Sequence, residues 1–233
     1  NAIDTGVKRL LVEGLARAQA DPAVRALVIA CRGRTFMAGA DIREFDDIIS
    51  GRVVPPDALA ALAAFGKPLV AAIHGSALGG GLEVALACDH RVASADASLG
   101  LPEVHLGLLP GWGGTQRLPR LVGPAAALDF ILAGQPLRAP QALALGLIDL
   151  IAEGELVGAA VAHARSVAGE GLRRLDARTP DIRSLPSGFF EQARERLARD
   201  PRGLHAPQRI VDCVEAATRL PVDQGLAFER EQF

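Results

Sequence analysis

Apolar positions in the first part of the chain alternate between helical and strand-like spacing. Helical spacing over 5–20 predicts a helix that ends before Asp21-Pro22, and the apolar run over 26–30 predicts a buried strand. A second run over 69–73 predicts another strand, and a glycine-rich stretch separates it from a helix predicted over 82–88. Further strands are predicted over 91–94, 98–101 and 147–151, and further helices over 114–122, 124–133 and 139–145. This alternation is typical of an α/β fold.

The strand-like runs stop at about residue 166. Beyond it, helices are predicted over 187–199, 207–219 and 223–233. We therefore predict a core over 1–165 and a C-terminal helical appendage or linker over 166–233. Because each of these helices has one apolar face, we expect them to cover the cleft of the core or a downstream domain, and to contribute no chemistry. Residues 45–57 are predicted to form a surface loop.

Composition and charge exclude several classes of protein. The 233 residues are 49% hydrophobic, which suits one sizeable core and excludes a disordered chain. With 25 Lys and Arg against 27 Asp and Glu, the net charge of −2 gives no broad attraction to nucleic acid or to an anionic membrane. No apolar run approaches the roughly 20 residues that span a bilayer. The 3 cysteines are widely spaced, so neither a disulfide framework nor a metal site is expected, and a reducing compartment is favoured.

A run of three glycines, Gly79-Gly80-Gly81, separates the second predicted strand from the helix that follows. Free amides at a helix start, together with the helix dipole, favour an anionic atom. The spacing does not match a dinucleotide fingerprint or a phosphate loop, and Ser76 lacks the flanking glycines of a nucleophile elbow. The run therefore predicts an anion site of another kind.

Two carboxylates lie close to glycine-rich segments. Glu83 is the one charged residue in the apolar stretch 82–88, where burial of a charge needs a reason. A partly exposed glutamate stabilised by the helix dipole is an equal alternative. Glu103 precedes the glycine-rich segment 107–114, and by itself it is more typical of a solvated loop. The small-residue turn over 36–42 is a weak signal when taken alone.

Together and in this order, three segments of the chain resemble the crotonase superfamily. They are Phe36-Met37-Ala38-Gly39-Ala40-Asp41-Ile42-Arg43-Glu44-Phe45, His74-Gly75-Ser76-Ala77-Leu78-Gly79-Gly80-Gly81-Leu82-Glu83, and the stretch from Leu101-Pro102-Glu103 to Gly114-Thr115-Gln116. The resemblance covers about residues 1–165. It implies an α/β fold, a crotonase-like spiral of ββα turns, that binds acyl-coenzyme A thioesters and carries the helical appendage at its C-terminal end.

The resemblance also implies roles for particular residues. The backbone N–H groups of Ala40 and Gly80 would form an oxyanion hole for the thioester oxygen. Glu83 and Glu103 match the two glutamates of the family's hydratases, with Glu103 as donor of a proton to the α-carbon and Glu83 as activator of water. Gly111 would help to seat that water. Five positions would contact acyl-CoA: Ala38, Asp41, Ile42, Arg43 and Trp112.

Two of these five positions have ordinary alternatives. Arg43 stands where hydratases often have a basic residue near the coenzyme A phosphates, but a plain surface arginine is equally expected. Trp112 takes the place of a smaller residue. Its ring could narrow the acyl pocket or simply pack in the core.

The two glutamates favour hydration of a trans-2-enoyl-CoA to a 3-hydroxyacyl-CoA over the family's other reactions. The tail over 205–208 and 220–231 resembles the hydratase half of bifunctional hydratase/3-hydroxyacyl-CoA dehydrogenases, which also isomerise enoyl-CoA. This likeness implies the acyl-CoA substrate without a permanently bound cofactor or metal, a downstream dehydrogenase domain or a homo-oligomer as partner, and fatty-acid oxidation as the setting. The alanine- and arginine-rich composition points to a bacterial cytoplasm. No dinucleotide fingerprint follows residue 166, so no dehydrogenase activity is expected of this chain.

Two alternatives stay open at this point. One is another crotonase-type lyase or isomerase. The other is a catalytically silent acyl-CoA-binding module, which is favoured by the absence of the family's first strand pair before Asn1 and opposed by the presence of both glutamates.

Overall fold

A computed structural model of the chain describes residues 1–44, 46–47, 50–199 and 205–233, and for Ile42 it describes the backbone alone. The α-helices with described bounds are α1 Thr5–Ala20, α2 Ala58–Ala64, α3 Gly80–Leu86, α4 Gly114–Val122, α5 Pro124–Ala133, α6 Ala139–Leu145, α7 Leu156–Val167, α8 Phe189–Ala198, α9 His205–Arg219 and α10 Val222–Gln232. The strands are β1 Leu27–Ala30, β2 Leu69–Ile73, β3 Ser76–Leu78, β4 His90–Ala93, β5 Ser98–Gly100, β6 Leu137–Arg138 and β7 Leu150–Ile151. Parts of the predicted loop 45–57, including Phe45, and of the link after α8 lie outside the described residues.

The strands form two small sheets. One has four parallel strands in the order β1-β2-β4-β7, with Val28 opposite Val70 and Val70 opposite His90. The other has the order β3-β5-β6. Parallel neighbours need crossover connections, which the intervening helices provide. The α/β prediction is confirmed.

Strand β1 corrects one detail of the sequence-based prediction. Ile29 is its one buried residue, whereas all five residues of β2 are buried. The physical reason is position, because β1 lies at the edge of the four-stranded sheet and β2 lies between two partners. An apolar run indicates a strand but does not distinguish an edge strand from a central one.

Helix α3 begins inside the glycine run, two residues before the predicted start. Gly79 precedes the helix with a φ of 53°, a backbone conformation that suits glycine. Gly81 packs directly onto the chain at Met37, where any β-carbon would overlap the Met37 carbonyl oxygen. The glycines therefore let α3 dock closely against the segment around residue 37, and they place the helix start at Gly80.

The C-terminal helices share the main hydrophobic core. Ile210, Val211 and Val214 of α9 belong to the same buried cluster as Phe36 and Leu82. The predicted helices of the tail are confirmed, while a domain boundary at residue 166 stays a prediction. None of the helices in the described part of the chain is both long and apolar enough to cross a membrane.

Candidate active site

Glu83 is buried and bonded to the glycine-rich loop 111–115. Its carboxylate is 2% exposed, so the alternative of a partly exposed glutamate is wrong. Oxygen Oε1 accepts hydrogen bonds from the Trp112 amide at 2.7 Å and from the Gly114 amide at 2.8 Å. Both bonds go to one oxygen, which leaves Oε2 available to a water or a substrate.

Glu103 lies against Gly79, the residue that precedes α3. Its Oε1 is 2.8 Å from the position that a β-carbon on Gly79 would take, so the carboxyl occupies space that the glycine leaves free. Its Oε2 is buried and has no hydrogen-bond partner among the described residues. A buried carboxyl oxygen without a partner is costly. It marks a position at which a ligand could supply the missing contact.

Burial raises the pKa values of both glutamates. For Glu83, burial is the main cause, and the charges of Glu229 and Glu103 add to it, while the amides of Gly114 and Trp112 act in the opposite direction; the pKa is well above its usual value. For Glu103, burial raises the pKa to about 7. Carboxyls tuned in this way can hold and release protons near neutral pH.

Two amides form a candidate oxyanion hole beside the carboxyls. The bridge between Ile3 and Ala40 uses the amides of Ile3 and Asp41, so it leaves the Ala40 amide out of that pairing. Gly80 is the first residue of α3, where amides have no acceptor within the helix. The Ala40 nitrogen is 3.7 Å from the position of a β-carbon on Gly80. The fold therefore brings the Ala40 amide close to Gly80, while the joint role that the resemblance implies for the two amides stays a prediction.

The neighbouring residues Trp112 and Gly111 face different groups. The Trp112 ring lies 3.6 Å from the β-carbon position of Gly80, packs against the core cluster, and has the Lys8 ammonium 4.9 Å from its centroid. Gly111 faces the ring of Phe233, which is 2.7 Å from the position of a β-carbon there. The Trp112 ring packs in the core, as one of the two sequence-based interpretations expects, and it also borders the candidate oxyanion hole. Whether it narrows an acyl pocket stays a prediction. The seating of water at Gly111 stays a prediction.

The remaining predicted contacts lie on the turn that follows residue 37. Arg43 is exposed and forms an ion pair with Asp41 at 2.6 Å, and this guanidinium lowers the pKa of Asp41 to about 2. Ala38 is also exposed, which leaves it accessible to a ligand. The side chain of Ile42 lies outside the described residues. Whether these positions bind acyl-CoA stays a prediction.

One carboxylate of the site was missed in the sequence. Glu229 of α10 is 0% exposed and accepts the Gly113 amide at 2.6 Å and the Thr115 amide at 3.1 Å, in addition to the Thr115 hydroxyl. Burial raises its pKa to about 7 against these hydrogen bonds. The sequence shows only that Glu229 and Gly225, four residues apart, share one face of the helix, and the structure shows that this face is buried.

Comparisons with known proteins find relatives over nearly the whole chain. The family model for enoyl-CoA hydratase/isomerase matches residues 1–179. The chain is 43% identical over 233 residues to the peroxisomal bifunctional enzyme of Danio rerio, covering 99% of this chain and 32% of that protein. It is 40% identical over 238 residues to the fatty acid oxidation complex subunit alpha of Shewanella loihica, covering 96% and 34%. The chain thus spans about a third of the length of these curated relatives.

A solved structure shows the same fold. Subunit I of an enoyl-CoA hydratase from Geobacillus kaustophilus superimposes with a TM-score of 0.64 at 33% identity, over 100% of this chain and 79% of that one. The crotonase-like α/β architecture is confirmed.

Proposed function

The chain belongs to the enoyl-CoA hydratase/isomerase family, and from that premise we propose that it adds water to a trans-2-enoyl-CoA to give a 3-hydroxyacyl-CoA. One observation carries this proposal. Two carboxyls with raised pKa values, the buried Glu83 and the half-buried Glu103, lie beside the amides of Ala40 and Gly80. Addition of water to a conjugated thioester requires both parts, one to move protons and one to hold the oxygen on which charge collects.

The amides act on the thioester oxygen. As a nucleophile approaches the β-carbon, electron density moves through the double bond onto this oxygen and forms an enolate. The N–H groups of Ala40 and Gly80 stabilise that charge, and the positive end of the α3 dipole adds to the effect. Removal of one such donor typically costs about 3 kcal/mol of transition-state stabilisation.

The glutamates move the protons. Glu83, held through Oε1, accepts a proton from water at Oε2 while the hydroxyl oxygen bonds to the β-carbon. Glu103 donates its proton to the α-carbon, and the enolate collapses to the saturated thioester. The product has gained one hydroxyl and one hydrogen. Proton exchange with solvent then returns Glu83 to its ionised form and Glu103 to its neutral form.

Isomerisation of a 3-enoyl-CoA to the 2-enoyl form is a second candidate activity. It needs removal of a proton from C2 and delivery of a proton to C4, without water. The unpartnered Oε2 of Glu103 and the pKa of about 7 support this role, because such a carboxyl takes and gives protons equally well near neutral pH.

We also propose a partner enzyme and a cellular location for this activity. Relatives bear the names bifunctional enzyme and fatty acid oxidation complex subunit alpha. A 3-hydroxyacyl-CoA carries a secondary alcohol that a dehydrogenase can oxidise, so a 3-hydroxyacyl-CoA dehydrogenase, as a downstream domain or within an oligomer, is the proposed partner. The proposed location is a bacterial cytoplasm; the Shewanella relative comes from a bacterium, whereas the Danio rerio relative is named as peroxisomal.

Loss of the enoyl-thioester absorbance tests the function directly. The protein is mixed with crotonyl-CoA and, separately, with a long-chain 2-enoyl-CoA, and the product is identified by mass as the substrate plus one water. We expect hydration of at least one of them, and comparison of the two rates gives the preferred chain length. Tight binding of both thioesters without hydration or isomerisation would instead identify a silent acyl-CoA-binding module.

A further inference from the structure

Two glutamates from distant parts of the chain bind alternate amides of one loop. Glu83 accepts the amides of Trp112 and Gly114, while Glu229 accepts those of Gly113 and Thr115. Glu229 lies 116 residues from Gly113 along the chain. The four successive amides are thus divided between a carboxylate of the candidate site and a carboxylate that has no part in the proposed chemistry.

We propose that Glu229 is a positioning residue, whose carboxylate fixes the 112–115 loop so that the Trp112 and Gly114 amides stay on Oε1 of Glu83. This inference rests on the proposed function, in which Glu83 activates water. Glu229 acts through the loop and touches neither substrate nor water.

The docking of α10 shows that this contact is closely fitted. Gly225, one helical turn before Glu229, packs onto Gln116, where a β-carbon would overlap the amide oxygen of that side chain. Leu226 lies 3.0 Å from the β-carbon position of Gly113. Glycine and leucine on this face let the helix approach the loop closely enough for the buried carboxylate to reach three donors.

Burial of the Glu229 carboxylate costs free energy, so we ask what this side chain does that an apolar one could not. Transfer of a carboxylate out of water costs several kcal/mol by general experience, and a well-packed hydrophobic residue often stabilises such a position at least as well. Glu229 instead meets the amides that begin α4, as a capping residue would. Capping alone predicts an effect on stability, whereas positioning of Glu83 predicts an effect on catalysis.

The charged groups around Glu83 and Glu229 affect how the rate depends on pH. Glu83 faces Glu103 and Glu229, and both carboxylates raise its pKa. Glu229 faces Arg117, which pairs with Asp176 and lowers the pKa of Glu229, and the thiol of Cys213. Removal of the Glu229 charge alone lowers the pKa of Glu83. Release of the Trp112 and Gly114 amides, which hold this pKa down, acts in the opposite direction. Because the two effects oppose each other, kcat and the environment of Trp112 are the decisive measurements.

The test compares Glu229→Gln with a matched control, Glu215→Gln. Glu215 is also a buried glutamate of the C-terminal helices, but it pairs with Arg194 and Arg219 and does not touch the loop. For Glu229→Gln we expect kcat to fall by about 100-fold, as for a displaced catalytic group, with KM little changed. The control should keep the wild-type kcat.

A second readout needs no substrate. Trp112 is the single tryptophan of the chain, and its amide belongs to the loop. Glu229→Gln should therefore change the emission of Trp112 and its quenching by acrylamide, and Glu215→Gln should not. If Glu229→Gln does not fold, Thr115→Val removes one of the three donors to Glu229 and should give smaller changes in the same directions, which Thr115→Ser should restore.

The outcomes separate the two proposals. A wild-type protein that hydrates no enoyl-CoA refutes the proposed function, and fluorescence then decides whether Glu229 positions the loop. A hydrating wild-type protein whose folded Glu229→Gln variant keeps kcat and the Trp112 emission overturns the positioning role. Loss of stability with unchanged kcat and unchanged Trp112 emission overturns it equally, since that result leaves only capping.

Discussion

The amide nitrogen of Ala40 lies 3.7 Å from the position that a β-carbon on Gly80 would occupy. The other nearest atoms to that position belong to Ile3 and Trp112, both at 3.6 Å. These are ordinary van der Waals distances, so the fold has room for a methyl group at residue 80. The added methyl would lie beside both amides, in the space proposed for the thioester oxygen.

Gly80→Ala should therefore fold normally and lose most of its turnover. We expect kcat to fall by about 10²- to 10³-fold, which is typical when an oxyanion donor is removed. Gly14→Ala is the control, because it also lies in a helix and a β-carbon there meets nothing within 4 Å. Thermal unfolding checks both folds. Full activity in a folded Gly80→Ala variant would show that the thioester oxygen does not bind in this space.

Glu103→Gln should abolish most hydration while acyl-CoA binding persists. The amide keeps the shape of the carboxyl but has no proton to give to the α-carbon, and such groups are worth about 10²- to 10⁴-fold in rate. Stopped-flow turnover together with calorimetric titration of the product separates the two effects. Near-wild-type turnover would show that Glu103 is not the proton donor.

The same substitution should change the pH dependence of stability. The pKa of Glu103 is about 7 in the folded protein against 4.5 for an ordinary glutamate, so the folded state holds the proton more tightly. The associated stability is complete below pH 4.5 and is lost as the pH rises through about 7. This shift corresponds to at most about 3 kcal/mol.

Glu103→Gln, which has no charge to bury, should hence be more stable than wild type at pH 8 and similar to it at pH 5. Urea unfolding of both proteins at the two pH values measures the difference. Equal stability differences at the two pH values would contradict a raised pKa at Glu103.

Arg174 and Asp89 form a buried ion pair that ties the segment after α7 to the central sheet. Asp89 is 1% exposed and also accepts the amides of Leu69 and Arg173. Arg174→Ala would leave this charge buried without its cation, and such changes cost about 3–5 kcal/mol of unfolding free energy. Arg183→Ala is the control, since its pair with Asp181 is exposed, and no measurable change is expected. Similar unfolding midpoints for the two variants would refute a structural role for the buried pair.

The sequence by itself determined the elements and the chemistry that lie close together along the chain. Periodicity placed α4, α5 and α6 almost to the residue, because helix ends depend on local glycine and proline signals. The motifs indicated Ala40, Gly80, Glu83 and Glu103, and the fold brings these residues to one place. Their proposed roles come from the resemblance to the crotonase superfamily, because the structure alone does not assign them.

Only the tertiary structure decided what depends on contacts between distant segments. The edge position of β1 and the start of α3 at Gly80 follow from which surfaces meet. Glu229 shows the reason most clearly. Nothing in the residues around it announces a partner 116 positions away, because a hydrogen bond between two parts of the chain depends on their distance in space, which local sequence pattern does not encode.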